Sequence, residues 1–244
     1  MATRPTIQVS GLPPVTEGEA IDTASPAEGR AERKNAVLRR LRPPEFKHEW
    51  EFWHDRYASE TAKVAAEGKE SESGYEDHLR PLFKIKDVQK FWEVNNNFPY
   101  NNLQLRDSVH LFKKTVKPVW EDPRNVRGGS WTFRIHKSVS LAAWTNLQLM
   151  AIGEALGDVV EKGDDICGVT LSVRFNSHLI SVWNRDGSNQ KSIDAIAAKV
   201  VGELPEDMRP SQSSIYYKRH SEHKGFQASA PAPATSQNAT SAGP

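Results

Sequence analysis

Seven tryptophans fall between Trp50 and Trp183 of this 244-residue chain. Rings of that size are buried in a core or stacked on a flat ligand, and seven of them demand a folded domain. Their flanks are different. Residues 1–44 are rich in Pro, Gly, Ala, Glu and Arg, show no apolar period, and read as a disordered tail. Residues 225–244 (GFQASAPAPATSQNATSAGP) read as a second, low-complexity tail. The ordered domain is therefore expected over 45–224.

Within it, strand and helix signals mix. His48 to Tyr57, Asp107 to Val116, Ser130 to Lys137, Ile166 to Phe175, His178 to Arg185 and Ser213 to His220 read as strands. Residues 58–74 are polar and turn-prone, and read as a loop. Val88, Phe91 and Trp92, at i, i+3 and i+4, predict a helix over Asp87 to Asn97. Ser140 to Gly157 predicts the clearest helix, with Ser140 as N-cap and Gly157 just past its end. Ser188 to Leu204 predicts a third. Between the strands ending at Val116 and beginning at Ser130, two prolines and two glycines impose an irregular loop. There is no strict strand–helix–strand alternation. An α+β domain follows, with helices on one face of an antiparallel sheet.

The charge balance narrows the function. Lys and Arg number 32 and Asp and Glu 31, too even for a protein that coats nucleic acid through its phosphates. A protein that grips one nucleotide at one site remains compatible. The single cysteine, Cys167, excludes an internal disulfide and a Cys-based zinc site, and reads as a small buried apolar group. The first residues carry no apolar signal-peptide core, and no run approaches the roughly 18 apolar residues a membrane span needs. A monomer in a reducing compartment, cytoplasm or nucleus, is the expectation. His136, His178, His220 and His223 show no metal-ligand spacing and read as ordinary residues.

Two segments carry chemistry. Val119-Trp120-Glu121-Asp122 lies inside the Pro/Gly loop, an odd place for a core tryptophan. A loop indole can offer its face to a ligand, and Glu121 can accept from the paired N1–H and N2–H donors of guanine. Alternatively, Trp120 plugs the sheet edge and Glu121 is solvated. Arg174 ends an apolar strand and suits a phosphate, which arginine holds bidentately. The alternative is a surface arginine paired with an acid. Trp92 sits beside Phe91 at the margin of its helix face, where an exposed ring can anchor a partner.

Together these residues resemble the eukaryotic initiation factor 4E family of mRNA cap-binding proteins. The resemblance rests on Phe91-Trp92, KPVWED (Lys117 to Asp122), RGGSW (Arg127 to Trp131), the W-x-x-L-x-L-x-x-I-G-E helix (Trp144 to Glu154) and ICGVTLSVRF…LISVWN (Ile166 to Asn184). It implies a curved antiparallel sheet backed by three helices, and no cofactor, metal or catalysis. It implies that capped mRNA, through its 7-methylguanosine, stacks on Trp120 and on the ring 17 residues before Trp92, which is Tyr75. Glu121 would take the guanine edge, Arg174 a phosphate, and Trp183 the N7-methyl side. Val88, Trp92, Asn146 and Leu149 would hold a partner's Tyr-x-x-x-x-Leu-apolar helix. Tyr75, where most members have Trp, resembles the class 2, 4E-homologous branch, as do VRF, ISVWN and Asn146. Ser130 and Leu179 stand where other members carry phosphate-binding cations, leaving Lys218 and Arg219 as further candidates. N7-methylation makes guanine cationic. Attraction of a desolvated cation to a ring is worth up to about 2 kcal/mol, so two rings and a carboxylate discriminate by ~100-fold.

Two other classes compete. A cap-processing enzyme needs clustered carboxylates or a nucleophile with its base. The sequence offers only Glu121-Asp122 and Asp164-Asp165, far apart. A diverged scaffold without cap binding would keep the fold and lose the site.

Overall fold

The computed structural model describes residues 43–57 and 78–226. The expected tails and the loop at 58–74 fall almost wholly outside them, and Tyr75 entirely so.

Within these residues the chain runs β1 (Glu45–Asp55), β2 (Leu79–Asp87), α1 (Val88–Asn97), β3 (Ser108–Lys113), β4 (Gly129–His136), α2 (Lys137–Ile152), β5 (Ile166–Val173), β6 (Ser177–Asn184), α3 (Gln190–Glu203) and β7 (Ile215–Arg219). The strands form one curved sheet in the order β2-β1-β3-β5-β6-β4-β7, every neighbour antiparallel. The expected fold class, α+β with three helices backing the sheet, is the one observed.

Period-two alternation sorts the strands into two faces. One face supplies Trp50, Phe52, Val109, Leu111, Phe133, Ile135, Val169, Leu171, Ile180 and Val182, which pack with Phe91, Trp144, Leu147, Ile196 and Val200 from the helices into the main core. Each such side chain fully removed from water contributes roughly 1.5–3 kcal/mol. The cluster, not intrinsic helix propensity, therefore fixes the helices on this side. The opposite face carries none of these three helices among the described residues and holds the candidate site.

Two local expectations are corrected, and one further strand appears. Leu79–Asp87 is a strand outside the segments expected above, although Leu79, Phe83 and Ile85 alternate with Arg80, Lys84 and Lys86. It is the sheet edge, where Pro81 removes no interior ladder bond and one flank needs no apolar partner. Ser140 is not the N-cap of α2, which begins three residues earlier with His136 Nδ1 accepting from the Ser138 N–H. Ser140 is instead buried, its hydroxyl donating to the Lys137 carbonyl at 3.0 Å and bonded to His178 Nδ1 at 2.8 Å. The same helix stops at Gly153 rather than Gly157, and Glu154 takes a left-handed conformation (φ 65°) there. In α1, Asp87 caps the first turn by accepting from Lys90 N–H at 2.7 Å. Phe91 and Val94 enter the core while Val88 and Trp92 remain exposed.

Candidate nucleotide-binding site

A cleft of about 850 Å³ lies on the face opposite the three helices. Its floor is one row across the sheet: His110, Thr170, Ser181, Thr132 and Tyr216 are register partners on β3, β5, β6, β4 and β7. Neighbours along the row satisfy one another, His110 Nδ1 with Thr170 Oγ1 at 2.9 Å and Thr132 Oγ1 with Ser181 Oγ at 3.1 Å. Burial pushes the His110 pKa down to about 3, so this floor is polar but uncharged at neutral pH.

The wall is the loop from Lys117 to Gly128, and its sequence explains its rigidity. Asp122 turns its carboxylate inward, accepting from the backbone N–H of Lys117 at 3.0 Å and of Arg124 at 2.8 Å. Asn125, fully buried, donates to the carbonyls of Lys117 and Val119, both at 2.8 Å. His220 Nδ1 donates to the Asn125 carbonyl at 2.7 Å from the segment after β7. A Cβ on Gly128 would run into the Asn184 carbonyl, so the loop can close on the sheet only with glycine there. Of the two adjacent carboxylates, Asp122 is thus spent on the loop while Glu121 lines the cleft.

Trp120 is half-buried and packs on a small cluster of Phe112, Val116, Cys167 and Trp183. Burial pushes the Cys167 thiol up to about 12, which makes it an unreactive part of that packing. Trp183 lies nearby on the cleft, its ring 5.2 Å from Phe112, and its indole Nε1 has no hydrogen-bond partner among the described residues. Arg174 lines the cleft at the far end of β5. Trp120, Glu121, Arg174 and Trp183 are therefore gathered on one cleft, drawn from segments more than fifty residues apart. Tyr75 lies outside the described residues.

Several lining residues were not legible as such. His223 stacks on Trp120, with centroids 4.3 Å apart and planes at 18°, and His220 lies tilted against Trp183 at 4.4 Å. The chain turns back after β7 and brings His223 to the cleft lining and the buried His220 against Trp183, which no local spacing announces. Burial lowers both pKa values, that of His220 to about 4, so the imidazoles are neutral at pH 7. Asp55, at the end of β1, faces the cleft and is 4% exposed. Burial raises its pKa to about 6, against the opposing attraction of His78 and Arg174. Arg106 also lines the cleft. Lys218 and Arg219 do not: Lys218 pairs in register with Ser130 on β4, and Arg219 donates to the Gly187 carbonyl at 2.9 Å.

On the helical side, Val88, Trp92 and Leu149 are exposed by 38–39%. Helices α1 and α2 meet there through Asn95, which bonds Thr145 Oγ1 at 3.3 Å and Gln148 Nε2 at 2.9 Å. Trp92 lies one turn before Asn95 and Leu149 one turn after Thr145, so the two flank the helix–helix seam. Asn146 is partly buried and donates to the Ala142 carbonyl at 2.9 Å.

The family model for eukaryotic initiation factor 4E matches residues 45–234. The chain belongs to the eukaryotic initiation factor 4E family. It is 32% identical over 205 residues to the rice (Oryza sativa) eukaryotic translation initiation factor NCBP, covering 82% of this chain and 83% of that one. It is 36% identical over 155 residues to Caenorhabditis elegans eukaryotic translation initiation factor 4E-4, covering 63% and 69%. Among solved structures, Ascaris suum eIF4E-3 in complex with the m2,2,7G cap superposes with a TM-score of 0.58 at 24% identity, over 76% of this chain and 96% of that one. The fold described above is thus the 4E fold. Among the described residues, no group of three or more His, Cys, Asp or Glu is placed to hold a metal ion, and no helix is long and apolar enough to cross a membrane.

Proposed function

We propose that this 4E-family chain binds the 7-methylguanosine cap of mRNA in the cleft on the face opposite its three helices and connects capped mRNA to partner proteins in translation. The observation that carries the reading is the Trp120–Glu121 pair on a wall that Asp122, Asn125 and His220 hold in place. An indole face and an adjacent carboxylate on a prefixed loop suit a cationic purine whose edge presents two N–H donors. Trp183 lies within the same cleft to pack on the methylated side, and Arg174 takes a phosphate. The second ring is Tyr75. Its phenol is a weaker partner for a cation than indole, which agrees with the class 2 reading. The chain binds without turnover and acts in the cytoplasm and nucleus, where capped mRNA is found. Titration with a methylated cap analogue and its unmethylated counterpart, read by tryptophan fluorescence, tests this. The methylated analogue binds at least ~10-fold tighter; equal affinities overturn the reading.

On the helical side, Val88, Trp92 and Leu149, with Asn146 beside them, receive a Tyr-x-x-x-x-Leu-apolar helix from a scaffold or a repressor. Two helices meeting under exposed apolar anchors form the groove such a helix needs. Which partner is bound decides between activation and repression.

One observation favours a second reading. His223 already covers one face of Trp120, as in a scaffold that has closed its own site. A flat titration of the natural chain, with binding restored in His223→Ala, identifies that case.

A further inference from the structure

Arg106 stands in the turn before β3 with φ 76°, the left-handed region that side chains other than glycine adopt at a cost. The turn is clipped in place from both sides. Gln104 N–H donates to Asp107 Oδ2 at 3.0 Å, and Val173 N–H donates to the Asp107 carbonyl at 2.9 Å. Arg106 N–H itself donates to the Val173 carbonyl at 3.0 Å. That carbonyl also accepts from Arg174 Nη1 at 2.9 Å. The Arg106 backbone amide and the Arg174 guanidinium therefore meet at one backbone oxygen on the cleft rim. The Arg106 guanidinium is aimed by Tyr57: Nη1 donates to the Tyr57 hydroxyl at 2.9 Å, and the guanidinium carbon lies 5.1 Å from the Tyr57 ring centroid.

The surroundings give this pair its meaning. Among the described residues lining the cleft, Arg106 and Arg174 are the only Lys or Arg. Ser130 and Leu179, on the facing strands, bring no charge. Two guanidinium groups lining one cleft suit an anion that can use their planar forks of donors. Asp55, an acid of the cleft, is buried at the end of β1 and feels the attraction of Arg174. It offsets part of one charge and leaves Arg106 at the exposed rim.

We propose that Arg106 and Arg174 form a two-armed clamp for the 5′-oligophosphate of the capped nucleotide, with Tyr57 holding the first arm, so that the phosphate site of this chain is built on the β3 approach instead of on β4 and β6. This rests on the cap-binding reading above.

Arg106→Gly is the test, because glycine accepts the same φ while the guanidinium and its bond to Tyr57 are removed. Three probes are titrated: 7-methylguanosine triphosphate, the nucleoside 7-methylguanosine, and inorganic triphosphate as competitor. The variant keeps or raises the melting temperature and keeps its affinity for the nucleoside. It loses about tenfold in affinity for the nucleoside triphosphate, with a shallower salt dependence. Inorganic triphosphate displaces the nucleotide less well from the variant than from the natural chain. Arg174→Ala gives the same phosphate-selective loss. An unchanged affinity for the triphosphate in Arg106→Gly overturns the clamp, and so does an equal loss for nucleoside and triphosphate, which marks a purely structural turn. A natural chain that binds neither methylated probe overturns the cap reading itself, a different outcome from the first two.

Discussion

On β3, Val109 and Leu111 turn toward the helices and are fully buried, whereas Ser108 and His110, each one residue away, turn toward the cleft. The same step separates Leu171 from Thr170 on β5 and Val182 from Ser181 on β6. On the helix side, close packing of apolar side chains is the whole content, and one tolerated residue is much like another of equal volume. On the cleft side, hydroxyls pair across strands, Ser108 with Ser172 at 2.8 Å and Thr132 with Ser181 at 3.1 Å, and charged groups gather at the rims. One face thus stores stability and the other recognition. Substitutions on the two should separate cleanly in what they change.

The largest effect is expected on the helix face. Trp144 is fully buried in α2 and its indole donates to Tyr100 at 3.2 Å. Trp144→Ala leaves a ring-sized cavity and costs about 3–5 kcal/mol in urea unfolding; a loss below 1 kcal/mol would show that this core is not what holds the sheet. Next comes Glu121→Ala, which removes an acceptor from the cleft wall without touching the Asp122 bonds that shape it. Affinity for the methylated cap analogue falls by about 1–3 kcal/mol while the melting temperature stays put. A variant that binds as well as the natural chain takes Glu121 out of the site.

Asp55 sharpens the comparison, because a recognition face can store negative stability. Its pKa is raised from the ordinary 3.8 to about 6. Between those values the folded state holds a proton that the unfolded state has released, so stability falls as pH rises through the window and stays low above it. Asp55→Asn should therefore stabilise the domain at pH 7.5, by on the order of 1 kcal/mol after allowing for the amide's own desolvation. The gain should vanish below pH 4, where both chains are neutral at this position. Equal gains at the two pH values would assign the effect to packing. The smallest effect belongs to Trp92→Ala. At 38% exposure the ring contributes little to the core, and unfolding should change by within about 0.5 kcal/mol, with cap affinity unaltered. Binding of a Tyr-x-x-x-x-Leu-apolar peptide should be lost. Collapse of the domain in Trp92→Ala would show the ring to be core instead of anchor.

What could be read in advance followed from periodicity and from motif. Strands β1, β3, β4, β5, β6 and β7 and all three helices lie within a few residues of their expected places, because alternation and the i, i+3, i+4 pattern are local consequences of burial. The edge strand β2 escaped because Pro81 and the apolar Leu82 interrupt its alternation, which a sheet edge tolerates. Helix ends moved because the His136 cap and the left-handed Glu154 were decided by the sheet to which α2 is joined and not by the strongest local capping residue. Trp120, Glu121, Arg174 and Trp183 were visible as a family constellation, and the structure places them on one cleft.

The other lining residues were beyond reach of the sequence. Asp55, Arg106 and His223 are unremarkable types in unremarkable strings, separated by up to 168 positions. Their roles depend on register and on where the chain turns back. Sheet register sets Asp55 on the cleft face at the end of β1. A hydrogen bond to Val173 brings Arg106 beside Arg174, and the turn after β7 lays His223 on Trp120. The sequence alone determined the apolar faces of most strands and helices and which chemistry is available, because periodicity and side-chain type are local properties of the chain. Only the tertiary structure decided which of those side chains share a site, because proximity across a sheet is fixed by the pairing of distant strands.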